Sequence, residues 1–218
     1  MGTEESVLTA GSKRLIEGLI ERFPEIKSCL EQIEHAYLIL KQTFTNRGKL
    51  LICGNGGSAA DAEHISGELM KGFRKKRPLA PTLSQKIKAM VGAAEWVEKL
   101  QGSLPVISLS NNTVLISAIS NDLSSDLVFA QQVVGYGNVG DTLLAISTSG
   151  SSVNVIRAVI VAKSLGLQTI GLTGNSGGLL NDLCDVTIKA PACETYRIQE
   201  YHLPIYHLLS AMLEEDFF

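Results

Sequence analysis

The sequence predicts an α/β protein: a doubly wound, parallel, five-stranded sheet behind an N-terminal helical extension. Three observations carry this. Short apolar runs recur at 49–53, 105–109, 142–146, 168–172 and 185–189, as strands buried on both faces require. Stretches of helical period separate them, so strand and helix alternate as in βαβ units. Residues 6–46 keep helical period and lack turn clusters.

In chain order, Leu15, Ile16, Leu19 and Ile20 share one helical face, then Ile26, Leu30 and Ile33, then Leu38 and Leu40. Pro24 suits the first turn of a second helix. The run closing at Cys53 meets Gly54 and passes into a helix over 58–70, for which Ser58 is the expected N-cap and Asp61 its capping-box partner. Residues 72–103 read as an insertion with a helical stretch around Trp96. Helices are expected over 113–120, 152–165 and 194–216, the last interrupted by Pro204. All 218 residues form one domain. In such sheets ligands sit at the carboxyl ends of the strands, so the loops after Cys53, Leu109, Ile146 and Leu172 should carry the chemistry.

Composition excludes several classes. Apolar residues are 45% of the chain, too many for disorder. Nineteen Lys and Arg against 22 Asp and Glu leave a net charge of −3, which argues against a nucleic-acid or anionic-membrane binder. The one basic run, Arg74-Lys75-Lys76-Arg77, reads as a solvated loop. No apolar run reaches the roughly 18 residues of a membrane span. Glu4 and Glu5 stand where a secretion signal would be basic. The start Met1-Gly2-Thr3-Glu4-Glu5-Ser6 fits a myristoylation pattern, but no second membrane signal follows. Cys29, Cys53, Cys184 and Cys193 have no paired spacing and read as reduced, buried thiols, so the expected location is cytoplasmic. The sequon at Asn111 then has no role.

Two loops stand out. Gly54-Asn55-Gly56-Gly57-Ser58 joins a strand to a helix, where glycines admit a close ligand and free N–H groups favour an anion. It also reads as a plain tight turn. Ser147-Thr148-Ser149-Gly150-Ser151-Ser152 holds five hydroxyls, more than capping uses. Hydroxyls and backbone N–H groups can wrap a phosphate without a cation, and the lack of Lys or Arg suits a sugar phosphate.

His64 and Glu68 share one helix face at i, i+4, and Gln199 and His207 share another at i, i+8. The two faces could close on a divalent ion, with ligands suited to zinc. Equally, Glu68 and His207 could flank a sugar as acid and base, or the histidines could be structural.

These motifs together resemble the sugar isomerase (SIS) domain family, most of all its phosphoheptose isomerase branch. The resemblance rests on Cys53 to Ser58, Asp61 to His64 with Glu68, Ile146 to Gly150, and Arg197-Ile-Gln-Glu200 with His207. It covers residues 45–215 apart from 74–103. It departs from the branch at Gly72, where an arginine is usual, and at Tyr196, where an aspartate is.

The resemblance implies a flavodoxin-like SIS fold in a homotetramer with active sites at subunit interfaces. It implies conversion of sedoheptulose 7-phosphate to D-glycero-D-manno-heptose 7-phosphate, for surface glycans. Asn55, Gly56, Gly57, Ser58 and Gln199 would contact substrate, Asn121 and Asp122 the sugar, and Ser147, Thr148, Ser149 and Ser152 the phosphate. Zinc would be held by His64, Glu68, Gln199 and His207, with Glu68 and His207 moving protons. An isomerase of another phosphosugar, or a non-catalytic SIS protein, are the alternatives. The partner-binding branch lacks the helix Glu and the final His, both present here.

Overall fold

The structure is a computed structural model and describes residues 8–92 and 94–218; the myristoylation pattern at 1–6 lies outside them. Its five strands are β1 (Leu50–Gly54), β2 (Val106–Ser108), β3 (Thr142–Ile146), β4 (Gln168–Thr173) and β5 (Val186–Lys189). All pair in parallel in the order β2-β1-β3-β4-β5. The order reverses between β1 and β3, the crevice in which such sheets bind ligands.

Side chains alternate along each strand and split the core in two. Leu50, Ile52, Leu144 and Ile146 face one layer. That layer is built from α1 (Ala10–Arg22), α2 (Leu30–Thr45), α3 (Gly57–Met70) and α10 (Thr195–Phe217). Leu51, Cys53, Leu143 and Ala145 face the other, built mainly from α6 (Thr113–Asp122), α7 (Val128–Tyr136), α8 (Val153–Ser164) and the short α9 (Leu180–Leu183). The apolar face of the N-terminal extension is spent within the chain: Ile16, Leu19, Ile26, Ile33 and Leu40 lie in the first core.

Several expectations need correction. Pro24 opens a 3-10 turn, Pro24–Cys29, ahead of α2. The helix after β1 starts at Gly57, because Gly56 takes a left-handed φ of 55° that turns the chain early. Ser58 therefore lies buried inside α3, and no capping box forms. The insertion holds two helices, α4 (Pro81–Val91) and α5 (Glu95–Lys99). Helix α7 has no counterpart among the expected elements, because its three valines and Gly135 give a weak helical period. Cys29 and Cys53 are buried, but Cys184 is half-buried and Cys193 exposed. Arg77 is not a solvated residue of a basic run: it is fully buried against Glu214.

No helix among the described residues is long and apolar enough to cross a membrane.

Candidate active site

Parallel pairing sets Cys53 beside Ala145 and Gly54 beside Ile146, so the loops leaving β1 and β3 emerge side by side. Two amides lock them: Asn55 and Asn154 exchange hydrogen bonds of 2.9 Å in each direction. Asn154 carried no signal in the sequence; only the sheet register brings it to Asn55. Asn55, Gly56, Gly57, Ser58, Ser147, Thr148, Ser152 and Gln199 then line one cavity of about 290 Å³, near the size of a small-molecule site.

The hydroxyl loop is internally organised. Ser147 Oγ lies 3.0 Å from Ser152 Oγ and 3.4 Å from Ser149 Oγ. Ser152 stands at the N-cap of α8 without capping it; Asn154 Oδ1 takes the Val155 N–H at 3.0 Å, which leaves the N–H groups of Val153 and Asn154 to an anion.

Helices α3 and α10 run side by side in the same direction. Gly57 meets Gln199 first: a Cβ at Gly57 would collide with the Gln199 amide. Further along, Tyr206 Oη reaches Asp61 Oδ1 at 3.3 Å and His64 Nδ1 at 2.9 Å. His202 Nε2–H donates to the Thr173 carbonyl at 3.2 Å. His202 Nδ1 faces Asp61 Oδ2 at 3.9 Å. Burial holds His202 down to about 4, so it stays neutral. Pro204 continues inside α10.

The third meeting is the chemical one. His64 Nε2 lies 3.2 Å from Glu68 Oε1 and 3.5 Å from His207 Nε2. The ligand atoms of all three residues fall within 4.8 Å of one another, a spacing that could hold one metal ion. Two imidazoles and a carboxylate are a donor set of borderline character. Burial first, then the neighbouring His64, pushes His207 below its ordinary value, toward the neutral form that binds metal. Phe73 covers that imidazole with ring centroids 5.2 Å apart. Lys71 stands 3.8 Å from Glu68.

The candidate residues thus fall into four places. The two loops, Ser149 apart, and Gln199 form the cavity; Ser149 lines a neighbouring hollow with Asn175, Ser176 and Cys193; and His64, Glu68 and His207 form the cluster. Asn121 and Asp122 are exposed on α6, where Asn121 donates to Asp122 at 2.8 Å. Asn121 lines a separate hollow with Thr113, Val114, Ser117 and Ala118.

The SIS domain family model matches residues 16–107 and 101–174. A phosphoheptose isomerase of Nitratiruptor is 43% identical over 182 residues, 84% of each chain. One of Campylobacter jejuni is 40% identical over 186 residues, 85% of this chain and 87% of that one. The solved phosphoheptose isomerase of Neisseria gonorrhoeae shares the fold with a TM-score of 0.70 at 32% identity over 94% of both chains. That of Francisella tularensis gives 0.71 at 29% identity, over 93% of this chain and 96% of that one. With the family model spanning both loops and these relatives spanning most of the chain, the protein belongs to the SIS domain family, in its phosphoheptose isomerase branch.

Proposed function

We propose that the chain is an aldose–ketose isomerase of a sugar phosphate, converting sedoheptulose 7-phosphate to D-glycero-D-manno-heptose 7-phosphate. One spatial relation supports this best. The phosphate-suited loops lie at the start of α3, and His64 follows seven residues after Gly57, about 10 Å along the helix. That is the span of an extended seven-carbon sugar phosphate. A phosphate held at one end leaves C1 and C2 near the histidines and Glu68 at the other.

Ser147, Thr148, Ser149 and Ser152 hold the phosphate by hydroxyl and backbone donors. Asn55, Gly56, Gly57, Ser58 and Gln199 fix the sugar. Glu68 carries the proton between C1 and C2, and His207 exchanges protons with the two oxygens as the enediol forms and collapses. His64, Glu68 and His207 would hold zinc; Gln199, the fourth ligand expected from the sequence, sits in the cavity against Gly57 and would have to swing from there to join them. Zinc, when bound, supplies charge stabilisation for the developing enediol oxygens.

Asn121 and Asp122, expected near the sugar, lie on α6 outside the cavity, Asn121 in a separate hollow, and would meet the sugar only if a second copy of the chain brought them to it. The working form is a homotetramer in the cytoplasm. Light scattering should return a multiple of the 23.4 kDa chain; a monomer at micromolar concentration would count against the shared site.

The test of the function is incubation with ketose phosphates of five, six and seven carbons, with aldose product read by NMR. Product from the seven-carbon ketose alone is expected. Turnover of a shorter ketose instead would move the substrate assignment, and no product from any would remove the activity.

A further inference from the structure

Tyr206 precedes His207 on α10 and is 2% exposed, and no step of the chemistry above uses it. Its hydroxyl stands between Asp61 and His64, 3.3 Å from Asp61 Oδ1 and 2.9 Å from His64 Nδ1. A phenol has one proton to give, and an ionised carboxylate can only accept. The O–H therefore donates to Asp61. The phenol oxygen is left to accept, and what His64 offers it is an Nδ1–H. That choice leaves Nε2, 3.2 Å from Glu68 Oε1 and 3.5 Å from His207 Nε2, as the nitrogen a metal takes, where it displaces any proton the Glu68 carboxylate draws there. The tyrosine ring also sets the tilt of the imidazole, edge to face at 74° with centroids 5.4 Å apart.

We infer that Tyr206, through its hydrogen bond to Asp61, is a positioning residue that holds His64 in the one tautomer and orientation able to present Nε2 to a metal. The inference rests on the reading of His64 as a metal ligand. His64 needs such a hold. Its side chain is 43% exposed, and a free imidazole visits both tautomers. A phenylalanine would fill the space equally well, so packing does not account for the hydroxyl. Partners that fix the far nitrogen of a ligating histidine are a general device for tuning metal affinity.

Tyr206→Phe keeps the ring and removes only the hydroxyl. Two measurements on the full chain test it. The ¹⁵N and ¹H shifts of the His64 ring, read with zinc bound, should show an Nδ1–H hydrogen-bonded to oxygen in the wild type and an Nδ1–H without that bond, exchanging faster with water, in the variant. Zinc affinity, read by competition with a chromogenic chelator, should fall about 10- to 100-fold, while binding of inorganic phosphate stays unchanged. A wild-type Nδ1–H signal and wild-type zinc affinity in Tyr206→Phe would overturn the positioning role. His64→Ala separates the two claims. If it loses zinc while Tyr206→Phe does not, the ligand stands and the positioning falls. If His64→Ala binds zinc as the wild type does, both fall.

Discussion

Arg77 and Glu214 form a fully buried ion pair, Nε to Oε1 at 2.8 Å, across 137 residues of chain. The guanidinium also donates to the carbonyls of Leu69 and Glu68 at 2.7 and 2.9 Å. The carboxylate in turn accepts the backbone N–H groups of Phe73, Arg74 and Lys75. One pair therefore ties the end of α3, the loop that carries Phe73, and the last turns of α10. The helix end bearing Glu68 and the helix bearing His207 are held by the same two side chains.

Breaking that pair on one side should be severe. Glu214→Gln leaves a buried guanidinium without a counter-charge and should cost about 3–5 kcal/mol, measured by urea denaturation. Burial alone would raise the Glu214 carboxyl. The N–H groups of Phe73 and Arg74 and the charge of Arg77 outweigh it and hold the group below its ordinary 4.5. A carboxyl depressed in the folded state stabilises above its unfolded value and loses that contribution as pH falls through the folded one. Stability should drop on acidification below about pH 4.5, and Glu214→Gln should show a flatter acid limb. Equal acid limbs in the two proteins would refute the assignment.

The serine loop makes a binding prediction. Ser149→Ala removes a hydroxyl that faces the Ser147–Ser152 pair. If it also meets a charged phosphate oxygen, substrate binding should weaken by about 1–3 kcal/mol. Calorimetry with the sugar phosphate reads this directly, and unchanged affinity would count against the loop.

Gly57→Ala probes the closest approach of the two helices. The new methyl runs into the Gln199 amide, the free end of a flexible side chain, so the amide is pushed out of its place in the cavity at little cost to stability. Because Gly57 and Gln199 are both surface-reaching parts of the cavity, the fold should persist while kcat/KM falls. An unaltered kcat/KM would show that Gln199 moves aside without consequence.

Glu68→Gln keeps shape and removes basicity. Turnover should fall about 10²- to 10⁴-fold, the usual worth of a positioned base, with substrate binding largely kept. Exchange of the transferred hydrogen with deuterated solvent is the sharper measurement. Wild-type exchange in this variant would mean that another group moves the proton.

Much of this was legible in the sequence, for definite reasons. Buried strands need unbroken apolar runs, so β3 is read at its true bounds, Thr142–Ile146. Helical spacing likewise pairs His64 with Glu68. What stayed hidden depends on register between distant segments. Nothing local distinguishes Arg77 from its charged neighbours Arg74, Lys75 and Lys76; only the approach of Glu214 does. Asn154 and Tyr206 look like ordinary helix residues until the sheet and the α3–α10 pairing bring Asn55 and His64 to them. The Ser58 cap failed because a positive φ at Gly56 shifts a helix start without leaving a trace in polarity.

The segment between Pro78 and Gln101 closes on itself at its neck. Those two residues form an antiparallel bridge, the Gly102 N–H donates to the Arg77 carbonyl at 2.8 Å, and the Gly72 N–H donates to Gln101 Oε1 at 3.0 Å. Beyond the neck, α4 buries no residue and α5 buries only Val97. Chain length there is cheap, since loop closure grows only with the logarithm of length. The neck is thus a graft point: residues 79–100 should accept exchange for a short turn or a fluorescent label without the end of α3 that carries Glu68 registering the change.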